Sequence, residues 1–137
     1  VRLSNTGVFV GSLSYAAPES LRHGGAHVDS RADLHSLGLV LYELATGVDP
    51  YRADDFAQTV QRVLNETPRR LGELNPQVSP FFVGVVQRLL EKDPNDRFSS
   101  AAELLEVLTS GEDAAWWNQT AQALRAATGR PIRRIRI

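Results

Sequence analysis

Gly11-Ser12-Leu13-Ser14-Tyr15-Ala16-Ala17-Pro18-Glu19 is the stretch on which the reading of this chain turns. It closes a segment, residues 1–20, that mixes Gly, Ser, Thr and Pro without a helical period. Such a segment reads as an ordered loop, or a loop with a short β piece. An Ala-Pro-Glu tripeptide alone says nothing about fold. Its weight comes from the downstream segments and their order.

Helices come next. From Ser30 to Ala45, Leu34, Leu37, Leu41 and Leu44 repeat at three and four while Leu39, Val40 and Tyr42 fill the other faces, so the pattern predicts a central helix buried nearly all round. Ser30 and Asp33 fit a capping box at its start, and Gly47 with Pro50 supplies the stop. Asp54 to Leu64 predicts a shorter amphipathic helix with Phe56, Val60, Val63 and Leu64 on its apolar side. Ser79 caps and Pro80 opens the next, with a stripe of Phe82, Val85, Val86, Leu89 and Leu90 that ends at Asp93-Pro94. Ser100 and Glu103 form a second capping box, opening a helix through about Leu108. Beyond Gly111 an alanine-rich stretch, Ala114 to Ala127, predicts a fifth helix, and Arg134-Ile135-Arg136-Ile137 alternates like a strand. A domain boundary is expected near residue 110, with 111–137 a linker into another domain.

Composition narrows the classes. The chain of 137 residues is 42% hydrophobic, and its 15 basic and 16 acidic side chains nearly cancel, so no overall field favours nucleic acid or an anionic membrane. No apolar run approaches the roughly 20 residues of a membrane span. The absence of cysteine excludes thiolate metal sites and suits a cytoplasmic domain. His23, His27 and His35 are too scattered for a metal centre. The chain has no methionine, even at position 1, and is expected to be an internal piece of a longer protein. Lys92 is the single lysine, a bias that hints at a GC-rich bacterial source. Trp116, Trp117 and Arg130, Arg133, Arg134 and Arg136 fit an anionic partner, but a linker is the preferred reading.

The residues at 11–19 resemble the end of a protein-kinase activation segment: Gly-Thr/Ser, two variable residues, Tyr, one variable residue, then Ala-Pro-Glu. Val28-Asp29-Ser30-Arg31-Ala32-Asp33-Leu34-His35-Ser36-Leu37-Gly38, continued by Tyr42-Glu43-Leu44-Ala45-Thr46-Gly47, is similar to the large helix of that family's C-terminal lobe. Asp93-Pro94-Asn95-Asp96-Arg97-Phe98 resembles its Pro-x-x-Arg-Phe/Tyr stretch, with Ala102-Glu103-Leu104 opening the last helix. Three motifs in register, over roughly residues 3–109, identify the chain as resembling bacterial serine/threonine kinases. The fold this implies is mainly α: the helical C-lobe, lacking the N-lobe and catalytic loop.

The resemblance also implies roles. Gly11, Ser12, Leu13, Ser14 and Tyr15 would form the substrate-docking loop. Ser12, where the family usually has Thr, would hydrogen-bond the catalytic Asp and Lys, and Asp33 would hold the catalytic loop from below. Glu19 and Arg97 would form a buried ion pair, and Ser4 and Thr6 would accept activating phosphates. The plain alternatives are a turn serine, a half-buried core tyrosine, a capping carboxylate, two unpaired surface charges and solvated loop hydroxyls. Residues 1–10, with no periodic apolar residues to anchor them, are expected to be mobile.

Phosphoryl transfer depends on positioning ATP, metal ions and the accepting hydroxyl. This sequence has no G-x-G-x-x-G loop, no His-Arg-Asp with its later Asn, and no Asp-Phe-Gly. Lys92, between a helical stripe and Asp-Pro, cannot be the strand lysine that holds phosphates. ATP and Mg are therefore implied for a full-length parent and not for this chain, which is expected to be inactive alone. Its implied partners are a protein substrate and the rest of its own kinase domain, with no nucleic acid and no membrane. Two other readings stay open: a pseudokinase or scaffold lobe that binds proteins through the Phe56 helix, and an unrelated helical module. The last would show no contact between residues near 19 and near 97.

Overall fold

The computed structural model describes residues 12–22 and 27–132. Seven α-helices are found among them: α1 (Pro18–Arg22), α2 (Arg31–Thr46), α3 (Phe56–Asn65), α4 (Leu71–Leu74), α5 (Pro80–Leu89), α6 (Ala101–Ser110) and α7 (Ala115–Thr128). Single 3₁₀ turns at Pro94–Asp96 and Gly111–Asp113 flank α6. No strand occurs among the described residues, and the expected strand at 134–137 lies outside them. No helix among them is long and apolar enough to cross a membrane.

Local chemistry sets most of the helix ends. The Ser79 hydroxyl accepts the Phe82 amide at 3.1 Å and the Ser100 hydroxyl accepts the Glu103 amide at 3.1 Å, each satisfying a donor that has no partner inside the helix. Glu103 reaches back to the amide of Ser99, not of Ser100, a box shifted by one residue. Asp55 caps α3 through the Gln58 amide at 2.8 Å. The expected Ser30–Asp33 box does not form, because Ser30 is itself helical and its side chain caps nothing. Asp29 does that work, taking the Arg31 amide at 2.9 Å and pairing with its guanidinium at 2.7 Å. The segment before α2 is also less loop-like than expected: it makes a tight turn at 12–16, with Tyr15 and Ala16 amides bonded to Ser12 and Leu13 carbonyls, and then enters α1.

Helices α2 and α5 are the centre. They meet at Gly38, where an added Cβ would stand 2.8 Å from Leu89 Cβ and 3.0 Å from Leu90 Cδ2, so only glycine lets the end of α5 cross there without displacing a neighbour. One side of the pair is filled by Leu39, Tyr42, Tyr51, Val63, Val83 and Val86, the other by Leu34, Val85, Leu89, Phe98, Leu104 and Trp117. Full burial of a leucine such as Leu89 (0% exposed) is worth about 1.5–3 kcal/mol.

Two sequence expectations change. α2 is not apolar-buried all round: Leu37 is 38% exposed, Val40 42% and Leu44 78%, because α5 covers one face and the described residues leave the opposite one partly open. Phe56, expected on the apolar side of its helix, is 51% exposed, and Thr59 with Val63 is buried in its place. Beyond residue 110, α7 returns to the lobe and buries Trp117 and Ala121 in the cluster that holds Leu89 and Phe98.

Candidate functional site: the loop at 12–19 and its floor

Ser14 and Tyr15, two of the residues expected to form a docking loop, lie against α2 and the turn after it. Ser14 is buried and its hydroxyl donates to the Asp49 carboxylate. The other Asp49 oxygen accepts the Tyr51 amide at 3.0 Å, which fixes the turn. The Tyr15 hydroxyl donates to the Glu43 carboxylate, and that bond, then burial and the charge of Glu43, push the phenol up to about 12. Tyr15 is therefore protonated and a donor at any ordinary pH. A third tether is the Ser36 hydroxyl, which donates to the Tyr15 carbonyl at 2.7 Å. Ser12 and Asp33 are both exposed, and Asp33 makes no side-chain hydrogen bond among the described residues. Gly11, Ser4 and Thr6, and the loop at 1–10, lie outside the described residues.

Behind this loop, Glu19 in the first turn of α1 meets Arg97 just past the Pro94–Asp96 turn. Arg97 Nη1 donates to Glu19 Oε1 at 2.7 Å and Nη2 to Oε2 at 2.8 Å. The Arg97 side chain is 0% exposed and that of Glu19 11%. Burial alone would raise the Glu19 carboxyl, but the hydrogen bond from Arg97 and the backbone bond outweigh it, and the net direction is down. The remaining Arg97 N–H groups go to the carbonyls of Arg31 at 2.9 Å, Glu91 at 2.8 Å and Lys92 at 3.2 Å. All five guanidinium donors are used.

His35 lies beside this pair, fully buried, with neither ring nitrogen hydrogen-bonded. Its ring stacks on Tyr51 with centroids 6.4 Å apart. Burial first, then the charges of Arg97 and Lys92, lower its pKa to about 3, so it is a neutral core residue.

The tethers Asp49, Glu43 and Ser36 escaped the sequence reading. Glu43 and Ser36 stand inside quoted motifs, but nothing in their spacing says that Tyr15 comes back to them from 28 and 21 positions away. Asp49 had a usable signal, Asp-Pro-Tyr, a turn in which aspartate takes a later amide.

The model of the protein kinase domain matches residues 2–108. The chain belongs to the protein kinase family. Among curated relatives, a probable serine/threonine-protein kinase of Clostridium acetobutylicum is 34% identical over 79% of this chain and 16% of its own length. The serine/threonine-protein kinase PknD of Mycobacterium tuberculosis is 36% identical over 80% of this chain and 17% of its own. The chain thus spans about one-sixth of the length of the curated relatives it matches. Among solved structures, the autoinhibited serine kinase domain of the giant muscle protein titin superimposes with a TM-score of 0.60 and 26% identity, covering 79% of this chain and 30% of that one. The chain is of the bacterial serine/threonine kinase type, and its fold is that of the helical C-lobe.

Protein kinases, the family to which the chain belongs, use ATP and Mg. No group of three His, Cys, Asp or Glu side chains among the described residues is placed to hold a metal ion, and the sequence has no glycine-rich phosphate loop.

Proposed function

We propose that this lobe is the substrate-docking platform of a serine/threonine kinase, working only when joined to a half that carries ATP, Mg and the catalytic base. The observation that carries the reading is the triple tether of the docking loop: Ser14 to Asp49, Tyr15 to Glu43, and Ser36 to the Tyr15 carbonyl. A loop fixed this way offers a protein substrate a preformed surface, which lowers the ordering cost of binding. Exposed Ser12 and Asp33 are where the catalytic loop would attach. The uncovered apolar stripe of Leu37, Val40 and Leu44 is the face on which the preceding part of the same polypeptide would pack. Ser4 and Thr6 are the candidate phosphate acceptors. We keep the division near residue 110 as the end of the catalytic lobe, with α7 a following element that docks back onto it.

The test is a chimera of this lobe with the upstream half of a bacterial relative, assayed on a Ser/Thr peptide. Tyr15→Phe should raise KM for the peptide several-fold and leave KM for ATP unchanged. Equal changes in both, or in neither, would remove the docking role of the loop.

A further inference from the structure

Lys92, the only lysine of the chain, follows the α5 stripe, where a solvated surface cation would be the ordinary reading. Its Nζ instead turns inward, donating to Tyr51 Oη at 2.8 Å and to the Val63 carbonyl at 2.7 Å. It stands 4.2 Å from the centroid of the Tyr51 ring, which is fully buried. No ion pair joins it among the described residues. Burial first, then the charges of Arg22 and Arg97, hold its pKa down to about 8 against the weaker pull of Glu66 and Glu91, so at neutral pH it keeps its charge. A half-buried charge without a counter-ion costs stability, unless the bonds it makes hold something in place.

Three anchors of the segment 12–22 lead to this one residue. The Ser14 hydroxyl donates to Asp49, whose other oxygen accepts the Tyr51 amide, and the Tyr51 hydroxyl accepts from Lys92. Glu19 pairs with Arg97, which donates to the carbonyl of Lys92 at 3.2 Å. Arg22, the last residue of α1, donates to the Leu64 carbonyl at 3.4 Å, next to the Val63 carbonyl that Lys92 takes. Both carbonyls are in the last turn of α3, where they lack a helical partner and a cation is favourable. The other tethers, Tyr15 to Glu43 and Ser36 to the Tyr15 carbonyl, run to α2 and bypass Lys92.

We propose that Lys92 is a positioning residue for phosphoryl transfer to protein: it sets where the docking loop stands by joining the tethers of Ser14, Glu19 and Arg22. The inference rests on the docking role of that loop. Lys92 acts through its partners and not on a substrate. Its ammonium fixes the Tyr51 hydroxyl, and with it the amide that orients Asp49 for Ser14. Its anchored stem fixes the carbonyl that Arg97 takes while holding Glu19. An ammonium suits the task because its N–H groups turn freely toward a hydroxyl and a carbonyl on different elements. An alkyl side chain would leave both acceptors without their donor, and such groups relax by moving toward water.

The experiment has two arms. In the first, hydrogen exchange is followed in the parent chain and in Lys92→Met, Lys92→Arg and Tyr51→Phe. The amides of Tyr15, Ala16 and Ser20 are bonded to the carbonyls of Ser12, Leu13 and Ala17. They should exchange several-fold faster in Lys92→Met and, by a smaller factor, in Tyr51→Phe, which keeps the ring and loses only the hydroxyl. Lys92→Arg, which keeps the charge and the donors, should stay close to the parent. A residue that merely stabilised the lobe would speed the slow amides of α5 and leave these local ones alone. Loop amides unchanged, or accelerated no more than those of α5, would overturn the proposal.

In the second arm, the chimera with the upstream half of a bacterial relative is assayed on a Ser/Thr peptide. Lys92→Met should raise KM for the peptide several-fold and leave KM for ATP unchanged, and Lys92→Arg should restore most of the loss. If Tyr15→Phe raises the peptide KM and Lys92→Met does not, the positioning role is overturned and the docking reading survives. If neither substitution raises it, the docking reading falls and takes the positioning role with it.

Discussion

Arg97 and Glu19, 78 positions apart, form a bidentate ion pair with bonds of 2.7 and 2.8 Å, and the arginine side chain has no exposed surface. Such a pair is no guarantee of net stabilisation, since removing two charges from water costs about as much as their attraction returns. Removing one partner is different: Glu19, whose side chain is 11% exposed, would remain uncompensated, and three carbonyls would lose donors. Arg97→Ala should lower unfolding free energy by roughly 3–5 kcal/mol in urea titration. Arg97→Lys should fall between, because three donors replace five in a fork.

His35 makes stability depend on acid. Its folded pKa of about 3 lies below the unfolded value of about 6.5, so between those values the unfolded chain binds the extra proton. The contribution of neutral His35 is thus complete above about pH 6.5 and is lost as pH falls toward about 3, at no more than about 1.4 kcal/mol per pH unit. Urea midpoints measured at pH 7.5, 6 and 5 should decline in the parent and decline less in His35→Phe.

The C-terminal helix is seated by a glycine. A Cβ at Gly84 would lie 2.8 Å from Trp117 Cζ3, while Arg88 stacks 4.2 Å over Phe98 and 5.3 Å over Trp116. Gly84→Val should push α7 off α5, costing about 1–3 kcal/mol and shifting tryptophan fluorescence to the red. Trp117→Ala should cost about 3–5 kcal/mol through the cavity it leaves.

What the sequence displayed was local chemistry and spaced motifs. Ser79 with Pro80, and Ser100, cap where a reader of caps places them, because that bond joins residues three apart. The partnership of Glu19 and Arg97 is visible only through family resemblance, since charge and spacing alone leave them two surface ions. Periodicity overstated the burial of α2: it counts Leu37, Val40 and Leu44 as apolar but cannot say whether any element covers them. Phe56 was misplaced for the same reason. The seating of Trp117 depends on a glycine 33 positions earlier, and the inward turn of Lys92 depends on Tyr51 and Val63. Neither leaves a trace in one dimension.

The most direct measurement is phosphate transfer from magnesium-ATP to a Ser/Thr peptide by two samples, this chain alone and the chain joined to the upstream half of a bacterial relative. The account predicts no transfer by the first, whose sequence lacks the phosphate and metal ligands, and peptide-saturable transfer by the second. Transfer by the chain alone, or a folded, ATP-binding chimera that transfers nothing, would contradict it.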